Sequence, residues 1–204
     1  MVGSETQKVS SKRIKPGGPI LSLNEISVAG QSKRDSLHDV NLILNSNEIL
    51  GIAGISGNGQ NVLADLISGL VAPDRGSIVL KGVAIENISP FNMIKSGFGR
   101  IPEDRHRQGI VGGLSVSENM IIERLDDPQI QNFGFLRSSV INKNAKTLSE
   151  KYDVRGPGID QASRLLSGGN IQKLILARVF EKQPEIILAN QPTRGLDMLS
   201  LIHI

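Results

Sequence analysis

The sequence predicts an α/β fold: a parallel-sheet core, an antiparallel β subdomain on its N-terminal side, and an inserted helical subdomain. Three observations carry this. Glu48-Ile49-Leu50-Gly51-Ile52-Ala53 is a continuous apolar run of the kind buried in a parallel sheet, and it leads into a glycine-rich turn and an amphipathic stretch. Apolar residues recur at strand spacing between Ile20 and Leu44. A second glycine pair, Gly168-Gly169, precedes a run with helical spacing and then the short apolar segment Glu185-Ile186-Ile187-Leu188-Ala189.

Taken in order, residues 1–18 are polar and end in Pro16-Gly17-Gly18-Pro19, a linker signature. Ile20, Leu21, Leu23, Ile26 and Val28 predict an antiparallel hairpin region, with Val40–Leu44 as another strand. Val62, Leu63, Leu66, Ile67 and Leu70 share one helix face. Ser77–Leu80 and Phe98–Ile101 read as short strands. From about 109 to 160 the strand signal fades, and Ser117–Arg124 and Ile141–Tyr152 read as helices. The segment is therefore a helical insertion between two α/β parts.

With 204 residues, 39% hydrophobic and 21% charged, the chain suits one sizeable globular domain. Much of the +3 charge lies in Lys8, Lys12, Arg13 and Lys15, a solvated tail. One Tyr and five Phe offer little surface for stacking bases, which argues against nucleic acid as a partner. The absence of cysteine excludes disulfides and thiolate metal sites. No apolar run approaches the roughly 20 residues that cross a bilayer.

Strand, glycine-rich turn and helix make a geometry that cradles phosphate with converging backbone N–H groups. The full pattern is G-x-x-x-x-G-K-[ST], whose lysine reaches the outer phosphates and whose hydroxyl holds magnesium. Gly54-Ile55-Ser56-Gly57-Asn58-Gly59 has the glycine spacing, but Gln60 stands for the lysine and Asn61 for the hydroxyl residue. A charge-assisted contact is worth roughly 1.5–3 kcal/mol, so its loss weakens the cradle without removing it. An ordinary strand-to-helix turn, with glycines serving packing, is the plainer reading of these residues alone. The stretch Leu166-Ser167-Gly168-Gly169-Asn170, at the mouth of a helix, is a second candidate anion site.

The segments GIAGISGNGQ, RIPEDRHRQGIV, LSVSENM, LSGGNIQKLILAR and NQPTRGLD, in that order, resemble the second nucleotide-binding half of tandem ABC ATPases serving bacterial importers of nucleosides and simple sugars. The resemblance spans roughly residues 20–198 and implies a RecA-like phosphate-loop core, the ABC ATPase fold. It identifies Gly54, Ser56, Gly57, Asn58, Gly59, Gln60 and Asn61 as a degenerate Walker A loop, and Ser167, Gly168, Gly169 and Asn170 as the signature. Asp197 falls on the D-loop, and Pro102–Arg105 falls where relatives sense their membrane partner. Asn190 and Gln191 stand at the Walker B positions, where an aspartate would serve magnesium and a glutamate the attacking water. Amides cannot take a proton, and losing a general base costs about 10²–10⁴ in rate. Ile171 replaces a usual glutamine, and no aromatic near Val28–Gly30 offers a platform for adenine.

The resemblance further implies ATP, with Mg²⁺ at a partner half, as the cofactors. The partners implied are the first nucleotide-binding half of the same polypeptide, transmembrane permease subunits and, indirectly, a substrate-binding lipoprotein. The location implied is the cytoplasmic face of the bacterial inner membrane, held peripherally. In such proteins each nucleotide lies between the phosphate loop of one half and the signature of the other. The expectation is a half that supplies LSGGN in trans while its own site is non-hydrolytic, so that this half alone is inactive and the parent protein is an ATPase. The alternatives are a soluble non-transport ABC protein and a purely structural cassette that binds no nucleotide. The expected organisation is a linker over 1–18, the ATP-binding domain over 19–198, and a non-native tail over 199–204, with truncation at both ends. That tail, Leu199–Ile204, matches the translation of a transposase adapter used in sequencing libraries.

Overall fold

A computed structural model describes residues 14–55 and 57–194; Ser56, Asp197 and the expected non-native tail lie outside the described residues. Two compact units divide the chain at Lys95 and Ser96.

The first unit contains β1 (Pro19–Val28), β2 (Leu37–Asn45), α1 (Gln60–Ile67), β3 (Arg75–Leu80), β4 (Val83–Ala84) and α2 (Pro90–Lys95). Its sheet has the order β2-β1-β3-β4 and is antiparallel throughout. On β1, Leu21 and Leu23 are buried two residues apart, and so are Ile26 and Val28. The three-residue step from Leu23 to Ile26 would put the second pair on the opposite face of a regular strand. A β-bulge there, with Glu25 at φ 50°, restores the common face. Gly76 is what lets β3 approach that bulge: its φ is +92°, and any Cβ would run into the carbonyls of Asn24 and Glu25. On α1, Leu63, Ala64, Leu66 and Ile67 form the buried face. The helix stops short of the expected Leu70, because Ser68 turns its hydroxyl back onto the Ala64 carbonyl at 2.6 Å and Gly69 takes φ +76°.

One expected strand is not formed. Residues 48–55 have no strand structure, and Ile49 is 99% exposed, with Ile52 and Ile55 also open. A strand exists only through its ladder, and no backbone bond joins this run to a neighbour among the described residues. Its apolar composition therefore did not suffice.

The second unit contains β5 (Phe98–Ile101), α3 (Val116–Ile121), β6 (Gln131–Asn132), β7 (Phe135–Leu136), α4 (Ser138–Lys151), α5 (Gly168–Glu181) and β8 (Ile186–Ala189). β5 and β8 pair in parallel, from Phe98 opposite Ile186 to Ile101 opposite Ala189. The helical insertion is present as α3 and α4, with the small hairpin β6-β7 between them. That hairpin turns through Phe133 and Gly134, both at positive φ, a geometry that short hairpins need.

α5 organises this unit. Ile171, Leu174, Ile175 and Val179 pack with Ile110, Val116, Met120, Ala145 and Leu148. Gly99 lets α5 lie close on β5, since a Cβ there would come 2.7 Å from Val179 Cγ1. Buried Asn119 ties the connection together: its Nδ2 donates to the Val111 and Ser115 carbonyls, both at 3.0 Å, and to Ser163 Oγ at 2.8 Å. Its Oδ1 accepts from Val111 N at 2.8 Å. Arg178, also buried, donates to the Gly109 carbonyl and pairs with Glu123.

Asn119→Ala leaves Val111 N–H and several carbonyls unsatisfied. The expected loss is about 2–3 kcal/mol of unfolding free energy, measured by urea denaturation.

Candidate nucleotide-binding surfaces

The glycine-rich loop belongs to the first unit. Gly57 and Gly59 lie at φ +86° and +85°, and Gly59 is the residue preceding α1, with Leu63 N–H donating back to its carbonyl at 2.8 Å. The backbone angle calls for glycine there, and a Cβ would also press on β2 at 3.0 Å from Leu37 Cδ2. Gln60 folds its amide over the loop: Nε2 is 2.5 Å from where a Cβ on Gly54 would stand. Asn61 is exposed on the first turn, which carries no acidic residue. Asp35 was not singled out from sequence, yet its Oδ1 lies 3.9 Å from the Cβ position of Gly57. It accepts from Ser32 Oγ at 2.9 Å.

The described part of this turn sets two left-handed glycines before a helix, with no cation in the helix's first turn. Gln60 is neutral, and Asp35 adds a carboxylate where a phosphate would be repelled. Sequence spacing could not reveal Asp35, because the loop holding it is distant along the chain and meets Gly57 only in the fold.

The second surface is the N-terminal end of α5. Ser167 is its cap, accepting from Asn170 N at 3.4 Å and from Asn170 Nδ2 at 2.9 Å. Asn170 Oδ1 accepts from Arg155 N at 2.8 Å, which binds the cap to the chain leaving α4. Asp153 supports that segment from behind, receiving Lys173 Nζ and Arg155 Nε at 2.7 Å each. Lys173 and then Arg155 hold its carboxyl down at about 2. Gly168 and Gly169 occupy the first turn, which again has no acidic side chain. The helix end therefore presents a hydroxyl, the amides of Gly168 and Gly169 and the positive pole of the helix, a combination that fits a phosphate.

Asn190 and Gln191 follow β8, at the carboxyl end of the parallel pair where α/β folds place ligands. Asn190 N donates to the Ile101 carbonyl at 2.9 Å, and Gln191 takes φ 45° to begin a turn closed by Arg194 N on its carbonyl at 3.0 Å. Glu103 pairs with Arg194, and Arg105 reaches both that turn and Gly168. Within the second unit the structure thus gathers the start of α5, the Pro102–Arg105 turn and the Asn190–Arg194 turn. Among the described residues no group of His, Cys, Asp or Glu could hold a metal ion.

The sequence family described as "ABC transporter" matches residues 37–194. The chain belongs to that family, as an ATP-binding domain. Among curated relatives it is 38% identical to the guanosine import ATP-binding protein NupO of Bacillus subtilis, over all of this chain and 40% of the relative. It is 36% identical to the nucleoside import ATP-binding protein NupA of Lactococcus lactis, again over all of this chain and 40% of the relative. The chain thus spans about two fifths of the length of these relatives. The solved dimer of the bacterial ABC transporter cassette MJ0796 superposes with a TM-score of 0.72 at 21% identity, covering 91% of this chain and 79% of that one. The fold is accordingly the ABC ATPase cassette: α/β, with an antiparallel β subdomain.

Ser167→Ala removes the cap of α5, and the expected loss is about 1 kcal/mol in denaturant unfolding. The pH dependence follows from Asp153, whose carboxyl falls from an ordinary 3.8 to about 2 in the fold. A depressed carboxyl stabilises above its unfolded value and loses that contribution as pH falls through the folded one. The thermal midpoint of the wild-type chain should therefore drop more steeply between about pH 4 and 2 than that of Asp153→Asn, as followed by circular dichroism.

Proposed function

We propose that the chain is the second, degenerate ATP-binding cassette of a bacterial importer for nucleosides or simple sugars. It supplies Ser167, Gly168, Gly169 and Asn170 in trans to an intact ATP site on the first half of the same polypeptide. Its own loop, Gly54–Asn61, is non-hydrolytic.

The observation that carries this reading is the contrast between the two surfaces. The α5 terminus retains every feature that favours a phosphate, whereas Gln60, Asn61, Asn190 and Gln191 have replaced a cation, a hydroxyl and two carboxylates. Random decay would erode both surfaces alike. The similarity to guanosine and nucleoside import proteins supports the substrate class, and their greater length leaves room for a second cassette.

ATP bound between the halves supplies the phosphate whose binding and release closes and opens them. Ser167 and the first-turn amides of α5 orient its terminal phosphate, and the helix pole stabilises that charge. Arg155, Asp153 and Lys173 hold Asn170 and Ser167 in place before the ligand arrives. Gln60, Asn190 and Gln191 can still donate hydrogen bonds but move no proton. The permease subunits and a substrate-binding lipoprotein complete the importer, and the cassette sits on the cytoplasmic face of the membrane as a peripheral subunit.

ATP turnover by the complete tandem protein tests the assignment. Gly168→Asp sets a carboxylate against the phosphate and is expected to abolish turnover; Gln60→Ala is expected to have an effect at least tenfold smaller. The reverse ranking would overturn the trans arrangement.

A further inference from the structure

A cation set against the signature comes from another motif. Arg105 lays its guanidinium against Gly168: a Cβ built there would be 2.9 Å from Nη2, 3.2 Å from Nε and 3.4 Å from Cζ. Both nitrogens lie nearer than Cζ, so the Nε–Nη2 edge of the guanidinium faces the glycine, in space that a side chain at 168 would contest. Nη1 donates to the Arg194 carbonyl at 2.6 Å. Arg194 in turn pairs with Glu103, two residues before Arg105. One side chain thus touches the turn after β8 and the first turn of α5, segments 89 and 63 residues away.

The placement has an electrostatic consequence. The positive charge of Arg105 adds to the positive pole of α5, in a first turn that supplies no carboxylate. Together they favour an anion above Ser167 and Gly168. Lysine could not reproduce the contact, because a single ammonium cannot both set two nitrogens against the first turn and donate to a carbonyl from a third.

We propose that Arg105 is a positioning residue for the trans nucleotide site. It fixes the first turn of α5 against the Asn190–Arg194 turn and so aligns the signature to receive a terminal phosphate. The inference rests on the reading of Ser167–Asn170 as a trans phosphate surface, and two measurements separate its failure from failure of that reading.

The first is steady-state ATP turnover by the complete tandem protein with Arg105→Gln and Arg105→Lys. Arg105→Gln is expected to raise KM for ATP about tenfold, the lower end of what a charge-assisted contact supplies, while the thermal midpoint moves by less than about 2 °C. Arg105→Lys should recover part of the loss, because it restores charge without the two-nitrogen contact. A lowered thermal midpoint with unchanged KM would mean a purely structural role and overturn the proposal.

The second is amide hydrogen exchange on the 204-residue chain without nucleotide. Exchange at Gly168–Asn170 should quicken in Arg105→Gln while Ile141–Leu148 on α4 keeps its rate. Equal rates at Gly168–Asn170 in both proteins would overturn the clamp whatever the turnover. A wild-type tandem protein that hydrolyses no ATP would sink the trans reading alone, and the exchange result then decides the clamp.

Discussion

The second unit depends on one constraint: α5 must be buried along its length while its N-terminal end stays open. Residues 171–179 of this helix are all buried, polar members included. Gly99 and Gly109 admit the helix from the side of β5 by offering no side chain to Val179 and Ile175. Lys173 and Arg178 survive burial because each charge finds a partner, in Asp153 and Glu123. A helix held this firmly offers its first turn as a fixed group of donors, and a fixed group loses little entropy when an anion binds.

The two candidate surfaces differ in what charge surrounds similar backbone. Both have glycines beside a helix N-terminus, and neither first turn carries an acid. Around α5 stand Arg105 and Arg155, with Asp153 occupied by Lys173 and Arg155. Around α1 stand the neutral Gln60 and the carboxylate of Asp35. Backbone form is inexpensive to retain because glycines also serve packing, as Gly59 does against Leu37. The charge complement is where the two surfaces differ.

Much of the architecture was legible because local chemistry specifies it. Alternation located β1 and β2, and the apolar Ile186–Ala189 became a strand paired with β5. Helical spacing found α4 and α5, since long periodic runs bury one face regardless of detail. The bulge at Glu25 was not legible, because it answers to Gly76 on another strand. Residues 48–53 read as a buried strand and are not one, since pairing belongs to the sheet and not to the run. The small hairpin β6-β7 escaped notice because two-residue strands leave no periodicity.

The sequence by itself determined the order of motifs and the residue types at each. Ser167-Gly168-Gly169-Asn170 is a cap before a helix, and Gln60, Asn190 and Gln191 are neutral amides. Those are properties of side chains and survive without a fold. Only the tertiary structure decided which distant groups share a site. It set Arg105 on Gly168, the amide of Gln60 over Gly54, and Asp35 beside Gly57. Spacing along a chain specifies neighbours within a turn or two, whereas these contacts form only when separate elements pack, and electrostatics acts through that final distance.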